Sequence, residues 1–129
     1  MSYLKKTAPS FNVEIHMAGD ITEAGRVIQL FVDQVGLCVT LTPQSFIYTG
    51  GREEGFKVGF INYPRFPKEP DEIVAIANIL ADHLRQPLGQ DSYSVVTPVE
   101  TIWISHRPID TTSTSGASPT ALERKGEEE

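Results

Sequence analysis

The feature that most limits what this chain can fold into is an order of strand-like and helix-like segments that occurs twice. Residues 11–17 alternate apolar and polar side chains, as in a strand with one buried face. Residues 21–35 then place apolar side chains at helical spacing. Extended segments recur at 56–63, 92–96 and 101–105, with a second helix beginning at Pro70. This order predicts an α+β domain with both helices packed on one face of a sheet.

Each half, about 11–49 and 56–105, follows the order strand, helix, strand, Thr-Pro pair, strand. Proline has no amide hydrogen to donate, so we expect a bend, bulge or turn at Thr42-Pro43 and at Thr97-Pro98. Four long strands or six short ones are both compatible with that pattern. The order resembles a ferredoxin-like βαββαβ domain or the related double β-α-β-β domain of the tautomerase superfamily. Tautomerases use an N-terminal proline as catalytic base, whereas position 2 here is Ser2, so the resemblance implies the architecture without the activity.

Length and charge divide the 129 residues into a leader, a domain and a tail. Residues 1–10 are expected to be a flexible leader, 11–108 a single domain, and 109–129 a disordered acidic tail rich in Thr, Ser and Glu. The net charge of −6 includes an acidic excess in the domain as well as in the tail. The chain therefore lacks the basic surface of a general nucleic-acid binder.

The cellular compartment is inferred from the single cysteine and from the lack of long apolar segments. Cys38 is the single cysteine, which fits a reducing environment. No apolar run approaches the roughly 20 residues of a membrane span, and the first residues have no apolar core of a secretory signal. We expect a cytoplasmic protein that does not enter the membrane.

The segment richest in recognition chemistry is residues 62–66, and four of its side chains are candidate ligand-binding groups: Asn62, Tyr63, Arg65 and Phe66. Regularly spaced prolines predict an extended, rigid path that presents stacking surfaces, a planar guanidinium donor and an amide. The alternative is a plain crossover in which the aromatic rings pack into the core and Arg65 pairs with Glu69 or Asp71.

Two further candidates lie in the segment 48–55. Its glycines predict a hairpin loop whose amides converge on an anion with help from Arg52, and the alternative is a plain hairpin. Tyr48 and Trp103 hold similar places in the two halves and are candidates for one shared surface. Trp103 in the last strand predicts an edge that contacts a partner subunit, and the alternative is core packing. A homo-oligomer is expected.

Glu14 and His16 lie two residues apart on the first strand, so their side chains leave the same face. A carboxylate beside an imidazole is a candidate acid–base pair. The alternative is an ordinary polar sheet face or a face that pairs with another subunit. The three histidines are far apart in sequence and no metal-ligand motif occurs, so we expect neither a metal nor a cofactor.

Three functions remain open. The preferred one is a non-catalytic, oligomeric domain that holds an anionic or nucleotide-like small molecule at residues 62–66 with Arg52 and Tyr48. The second is a module that binds or inhibits a protein partner. The third is a small hydrolase or isomerase that uses Glu14 and His16. The lack of a recognisable catalytic set makes us lean against an enzyme.

Overall fold

The computed structural model describes residues 2–107 and contains two helices and five strands. The strands are β1 (Asn12–Ala18), β2 (Thr40–Tyr48), β3 (Gly51–Ile61), β4 (Ser92–Val96) and β5 (Thr101–Ser105), and the helices are α1 (Ile21–Val35) and α2 (Pro70–Arg85). Within residues 2–107, neither helix is long and apolar enough to cross a membrane.

The sheet confirms the predicted fold class. Its strand order is β2-β3-β1-β4-β5, and each neighbouring pair is antiparallel. The first four strands with the two helices have the βαββαβ connectivity of a ferredoxin-like domain. Strand β5 adds a short hairpin to β4 and becomes one edge of the sheet, while β2 is the other edge.

The core lies between one face of the sheet and the helices. Alternate residues of β1, namely Val13, Ile15 and Met17, are buried on that face. They continue across the sheet into Phe56, Val58 and Phe60 of β3 and Tyr93 and Val95 of β4. The helices close the core with Ala24, Ile28, Ile73, Ala77, Leu80, Ala81 and Leu84. Because strand side chains alternate, the remaining residues of each strand form a second face that no helix covers.

Both helices begin and end where the sequence predicts. The Asp20 carboxylate accepts a hydrogen bond from the Thr22 amide (3.0 Å), which satisfies a free amide of the first turn of α1. Gly36 ends the helix with a φ of 77°, a conformation that glycine adopts without steric cost. Pro70 opens α2, and Asp71 and Glu72 follow in its first turn.

The prediction of a break at Thr42-Pro43 is wrong, because β2 runs unbroken from Thr40 to Tyr48. Pro43 pairs with Phe56 on one side only, and an edge strand does not need the amide hydrogen that proline lacks. Thr97-Pro98, in contrast, is a turn, closed by the Thr97 amide donating to the Glu100 carbonyl (2.8 Å). The two Thr-Pro pairs are therefore not equivalent, and the sheet has five strands instead of four or six.

Two loops also differ from the sequence expectation. The segment 48–55 is not a loop of that length, since β3 already begins at Gly51 and the turn is tight, with Gly50 at a φ of 83°. The proline segment after β3 is not extended throughout, because the Phe66 amide donates to the Tyr63 carbonyl (3.0 Å) and closes a turn. The predicted acidic tail lies outside the described residues.

Candidate functional site

The uncovered face of the sheet carries a cluster of four polar side chains at its centre. Glu14 and His16 of β1 point to this face because Val13, Ile15 and Met17 point to the core. Lys57 lies directly opposite His16 on β3, and Gln44 reaches the cluster from β2. We call Glu14, His16, Gln44 and Lys57 the open-face cluster.

Hydrogen bonds join the members of the open-face cluster. The His16 Nε2 lies 3.1 Å from the Glu14 Oε1, and the Gln44 Nε2 lies 2.9 Å from the His16 Nδ1. The Lys57 Nζ lies 3.7 Å from the other carboxylate oxygen of Glu14. The side chains of His16, Glu14 and Lys57 are 25%, 33% and 34% exposed. The cluster is thus partly desolvated, which strengthens its electrostatic interactions, yet it remains accessible to a ligand.

A glycine of β3 lies on the open face between β2 and β1. Gly55 is the partner of both Gln44 and Ala18, so it lies between β2 and β1 beside the open-face cluster. A Cβ on Gly55 would overlap the Met17 carbonyl oxygen and come within 2.6 Å of the Phe46 ring. The missing side chain therefore leaves room for Phe46 on the open face at the margin of the cluster.

Trp103 lies on the same face of the sheet, on the edge strand β5. It pairs with Ser94, which in turn pairs with His16, so Trp103 and His16 are two strands apart. Two strand spacings amount to about 10 Å. The indole is 60% exposed, so the alternative of core packing for Trp103 does not hold. The edge strand was one of two placements left open by the sequence, and contact of Trp103 with a partner subunit stays a prediction.

The predicted ligand-binding segment 62–66 contains one residue with a clear structural task. Asn62 is 8% exposed. Its Nδ2 donates to the Pro9 carbonyl (2.9 Å) and its Oδ1 accepts from the Lys68 amide (2.9 Å). Asn62 therefore fastens the chain before β1 to the segment that leads into α2, and both ends of its amide are used inside the protein.

The aromatic residues of that segment lie at the rim of a small cavity. The Tyr63 and Phe66 rings are 5.7 Å apart and tilted by 33°. The Cys38 Sγ and the Tyr63 hydroxyl lie 3.2 Å apart, and the hydrogen bond between them, with burial, raises the pKa of Tyr63. The cavity beside them is shallow and open to solvent, and its wall also contains Phe60 and Ile73. Arg65 is exposed, and among residues 2–107 it forms no ion pair with Glu69 or Asp71.

Arg52 and Tyr48 do not lie near the segment 62–66 within one chain. They flank the turn between β2 and β3, and Arg52 is nine residues from the end of β3, a separation of about 30 Å along the strand. The Arg52 Nε donates to the Glu54 Oε2 (3.1 Å). Hydrogen bonds from Ser45 and Arg52 lower the pKa of Glu54. Tyr48 and Trp103 likewise lie on opposite edges of the sheet, so they do not share a surface in one chain.

Sequence reasoning found two members of the open-face cluster and missed the other two. Lys57 was detectable, because it alternates with Phe56 and Val58 and so shares the open face of its strand. Gln44 was not, because it followed Pro43 and was assigned to an interruption. Within residues 2–107, no three His, Cys, Asp or Glu side chains come together in a way that could hold a metal ion.

Comparison at the level of sequence finds no relative. The chain matches no known protein family, and no curated protein is significantly similar to it in sequence.

Comparison of structures finds a phage SAM lyase. Its apo form matches with a TM-score of 0.68 at 14% identity, over 84% of this chain and all of that one. A phage SAM lyase in complex with S-methyl-5'-thioadenosine matches with a TM-score of 0.62 at 12% identity, over 81% of this chain and 96% of that one. A designed protein with a ferredoxin fold also matches, at a TM-score of 0.31. The first two matches show a shared fold.

Proposed function

We propose that this protein is an enzyme that binds a nucleoside-like small molecule on the uncovered sheet face and cleaves it. The proposed substrate class is a sulfonium nucleoside of the S-adenosylmethionine type. The observation that carries the proposal is the open-face cluster, in which the Glu14 carboxylate lies 3.1 Å from the His16 imidazole on a surface open to ligands. An acid–base pair at this place was the third of the functions open from the sequence.

The open-face cluster contains one carboxylate, Glu14, and one ammonium, Lys57, so the Glu14 carboxylate, and not the charge of the whole cluster, is the feature that suits a sulfonium. A sulfonium sulfur is positively charged, and a partly buried carboxylate attracts a cation more strongly than one surrounded by water. Cleavage of a carbon–sulfur bond of the sulfonium leaves the electron pair on sulfur, which becomes a neutral thioether. S-methyl-5'-thioadenosine is such a thioether. Glu14 supplies the negative charge for the bound cation and accepts the proton from the carbon next to the one that leaves sulfur, so that the C–H electron pair becomes a carbon–carbon double bond as the C–S bond breaks.

Trp103 provides a surface for the base of the nucleoside. Purines stack on aromatic rings because both present extended π-faces, and such stacking contributes about 1–3 kcal/mol per base. Trp103 and His16 are two strands apart, a backbone separation of about 10 Å, and only Ser94 intervenes in that row. A nucleoside that stacks on Trp103 can therefore extend its 5' substituent toward Glu14.

The structural comparison supports the proposal in one respect. The match covers the whole of the apo lyase chain and 96% of the chain with S-methyl-5'-thioadenosine, so those proteins add little beyond the fold present here. The small size of this domain is thus compatible with chemistry on a sulfonium nucleoside.

Two sequence-based predictions remain proposals beside this one. Tyr63, Phe66 and Arg65 are a second location for a nucleotide-like ligand, supported by the paired rings and the exposed guanidinium. A homo-oligomer in which β5 and Trp103 contact another copy is supported by the 60% exposure of the indole on an edge strand.

The experiment is incubation of the purified protein with S-adenosylmethionine and quantification of S-methyl-5'-thioadenosine by mass spectrometry. Glu14→Gln is expected to slow product formation at least about 100-fold, and Trp103→Ala to weaken substrate binding about tenfold or more. Matched controls are Glu23→Gln, which alters an exposed carboxylate on α1, and Tyr48→Ala, which alters an exposed aromatic ring on the opposite edge strand. No product from the wild-type protein, or an equal loss in the controls, would overturn the proposal.

A further inference from the structure

We propose that Gln44 and His16 are positioning residues, and that Glu14 alone among the three faces the substrate as the catalytic residue. This inference rests on the proposed function, and it revises the acid–base pair by giving its two members different tasks. It is argued from the direction of each hydrogen bond in the open-face cluster.

Gln44 determines the direction of the hydrogen bonds in the open-face cluster, because its amide nitrogen lies close to two acceptors. Its Nε2 lies 2.9 Å from the His16 Nδ1 and 3.4 Å from the Phe56 carbonyl oxygen. An amide NH₂ has two hydrogens and can serve both. With the amide turned over, its oxygen would face the Phe56 carbonyl oxygen, and the two would repel. Gln44 therefore donates to His16.

The hydrogen bond that Gln44 donates to Nδ1 determines which nitrogen of His16 carries the proton. Because Nδ1 accepts from Gln44, the neutral imidazole carries its hydrogen on Nε2. That hydrogen is directed to the Glu14 Oε1 at 3.1 Å. The chain of bonds thus runs from Gln44 to His16 to Glu14, and the neutral imidazole has no lone pair left with which to accept a proton from a substrate.

Glu14 keeps an oxygen that can face a ligand. Its Oε1 is held by His16, whereas its Oε2 has Lys57 at 3.7 Å, beyond hydrogen-bond distance. One carboxylate oxygen is thereby anchored and the other is available on a side chain that is 33% exposed. Such an arrangement fixes the orientation of a catalytic group through neighbours that do not touch the substrate.

Two substitutions of His16 separate positioning from proton transfer. The amide nitrogen of Gln can take the place of Nε2 and donate to Glu14, whereas the amide nitrogen of Asn takes the place of Nδ1 and cannot reach Glu14. If His16 positions Glu14, His16→Gln retains product formation to within about tenfold of the wild type, and His16→Asn loses clearly more. If His16 itself transfers the proton, both variants lose activity equally, and the inference is overturned.

Nitrogen NMR of the imidazole tests the hydrogen-bond chain without any substrate. In the wild-type protein the neutral His16 is expected to carry its proton on Nε2, and in Gln44→Glu, which replaces the donor by an acceptor, a proton is expected on Nδ1. An Nδ1 proton on neutral His16 of the wild type would refute the inference. Different results would contradict the two proposals. Absence of product from S-adenosylmethionine contradicts the proposed function and with it the catalytic task of Glu14. Product formation together with a proton on Nδ1 of neutral His16 contradicts only this inference.

Discussion

Asn62 was predicted from the sequence to contact a ligand. Because both ends of its side-chain amide form hydrogen bonds within the protein, we expect that replacing Asn62 destabilises the fold. Asn62→Ala removes two hydrogen bonds of 2.9 Å and leaves the Pro9 carbonyl and the Lys68 amide without their partner. A lost hydrogen bond costs about 1 kcal/mol, and a buried group left unpaired costs up to about 3 kcal/mol. The free energy of unfolding is therefore expected to fall by about 2–4 kcal/mol.

Urea unfolding followed by circular dichroism measures this change. A loss of 2 kcal/mol corresponds to a decrease of at least about 8 °C in Tm for a domain of this size. Asn62→Asp keeps the acceptor for the Lys68 amide but places a carboxylate oxygen against the Pro9 carbonyl oxygen, and the two repel, so this variant is expected to be destabilised as well. Arg65→Ala is the control, because Arg65 is exposed three residues away. A change below about 0.5 kcal/mol for Asn62→Ala would refute the structural task of this amide.

Three further predictions follow from individual contacts. Gly55→Ala places a Cβ against the Met17 carbonyl oxygen and the Phe46 ring, so urea unfolding should show a loss of about 1–3 kcal/mol. Asp20→Ala removes the cap of α1 and should lower the free energy of unfolding by about 1 kcal/mol in the same assay. Burial and the nearby Asp82 carboxylate raise the pKa of Tyr93 above that of an exposed tyrosine. The contribution of the neutral Tyr93 to stability is therefore complete below about pH 10 and is lost as the pH rises further. Tm measured between pH 8 and 12 should fall less steeply in Tyr93→Phe than in the wild type.

Those parts of the fold that depend on local chemistry could be read from the sequence. Alternation in residues 11–17, the Asp20 cap and Gly36 after the last helical turn each specify a structure within a few residues. Whether Pro43 interrupts its strand could not be predicted, because a proline breaks a central strand and is tolerated in an edge strand. Which strand becomes an edge depends on the order of the whole sheet.

The same limit applies to the site. The nearness of Glu14 and His16 follows from their spacing on one strand, and the hydrogen bond between them agrees with it. Gln44 joins them through the order of the sheet, in which β3 lies between β1 and β2, and this tertiary arrangement has no local signal. The hydrogen bonds of Asn62 to Pro9 and Lys68 could not be predicted, because a buried amide that links two segments has the same sequence context as one that contacts a ligand.

The most direct test of the central claim is titration of the nitrogen-15-labelled protein with S-methyl-5'-thioadenosine, observed through the indole signal of Trp103. Trp103 is the single tryptophan of the chain, so its indole N–H signal is assigned without ambiguity. A ligand on the open face is expected to shift that signal and the His16 and Glu14 amides saturably, and to leave the Tyr63 and Phe66 amides in place. Shifts confined to residues 62–66, or no saturable shift at any signal, would contradict the assignment of the open sheet face as the nucleoside site.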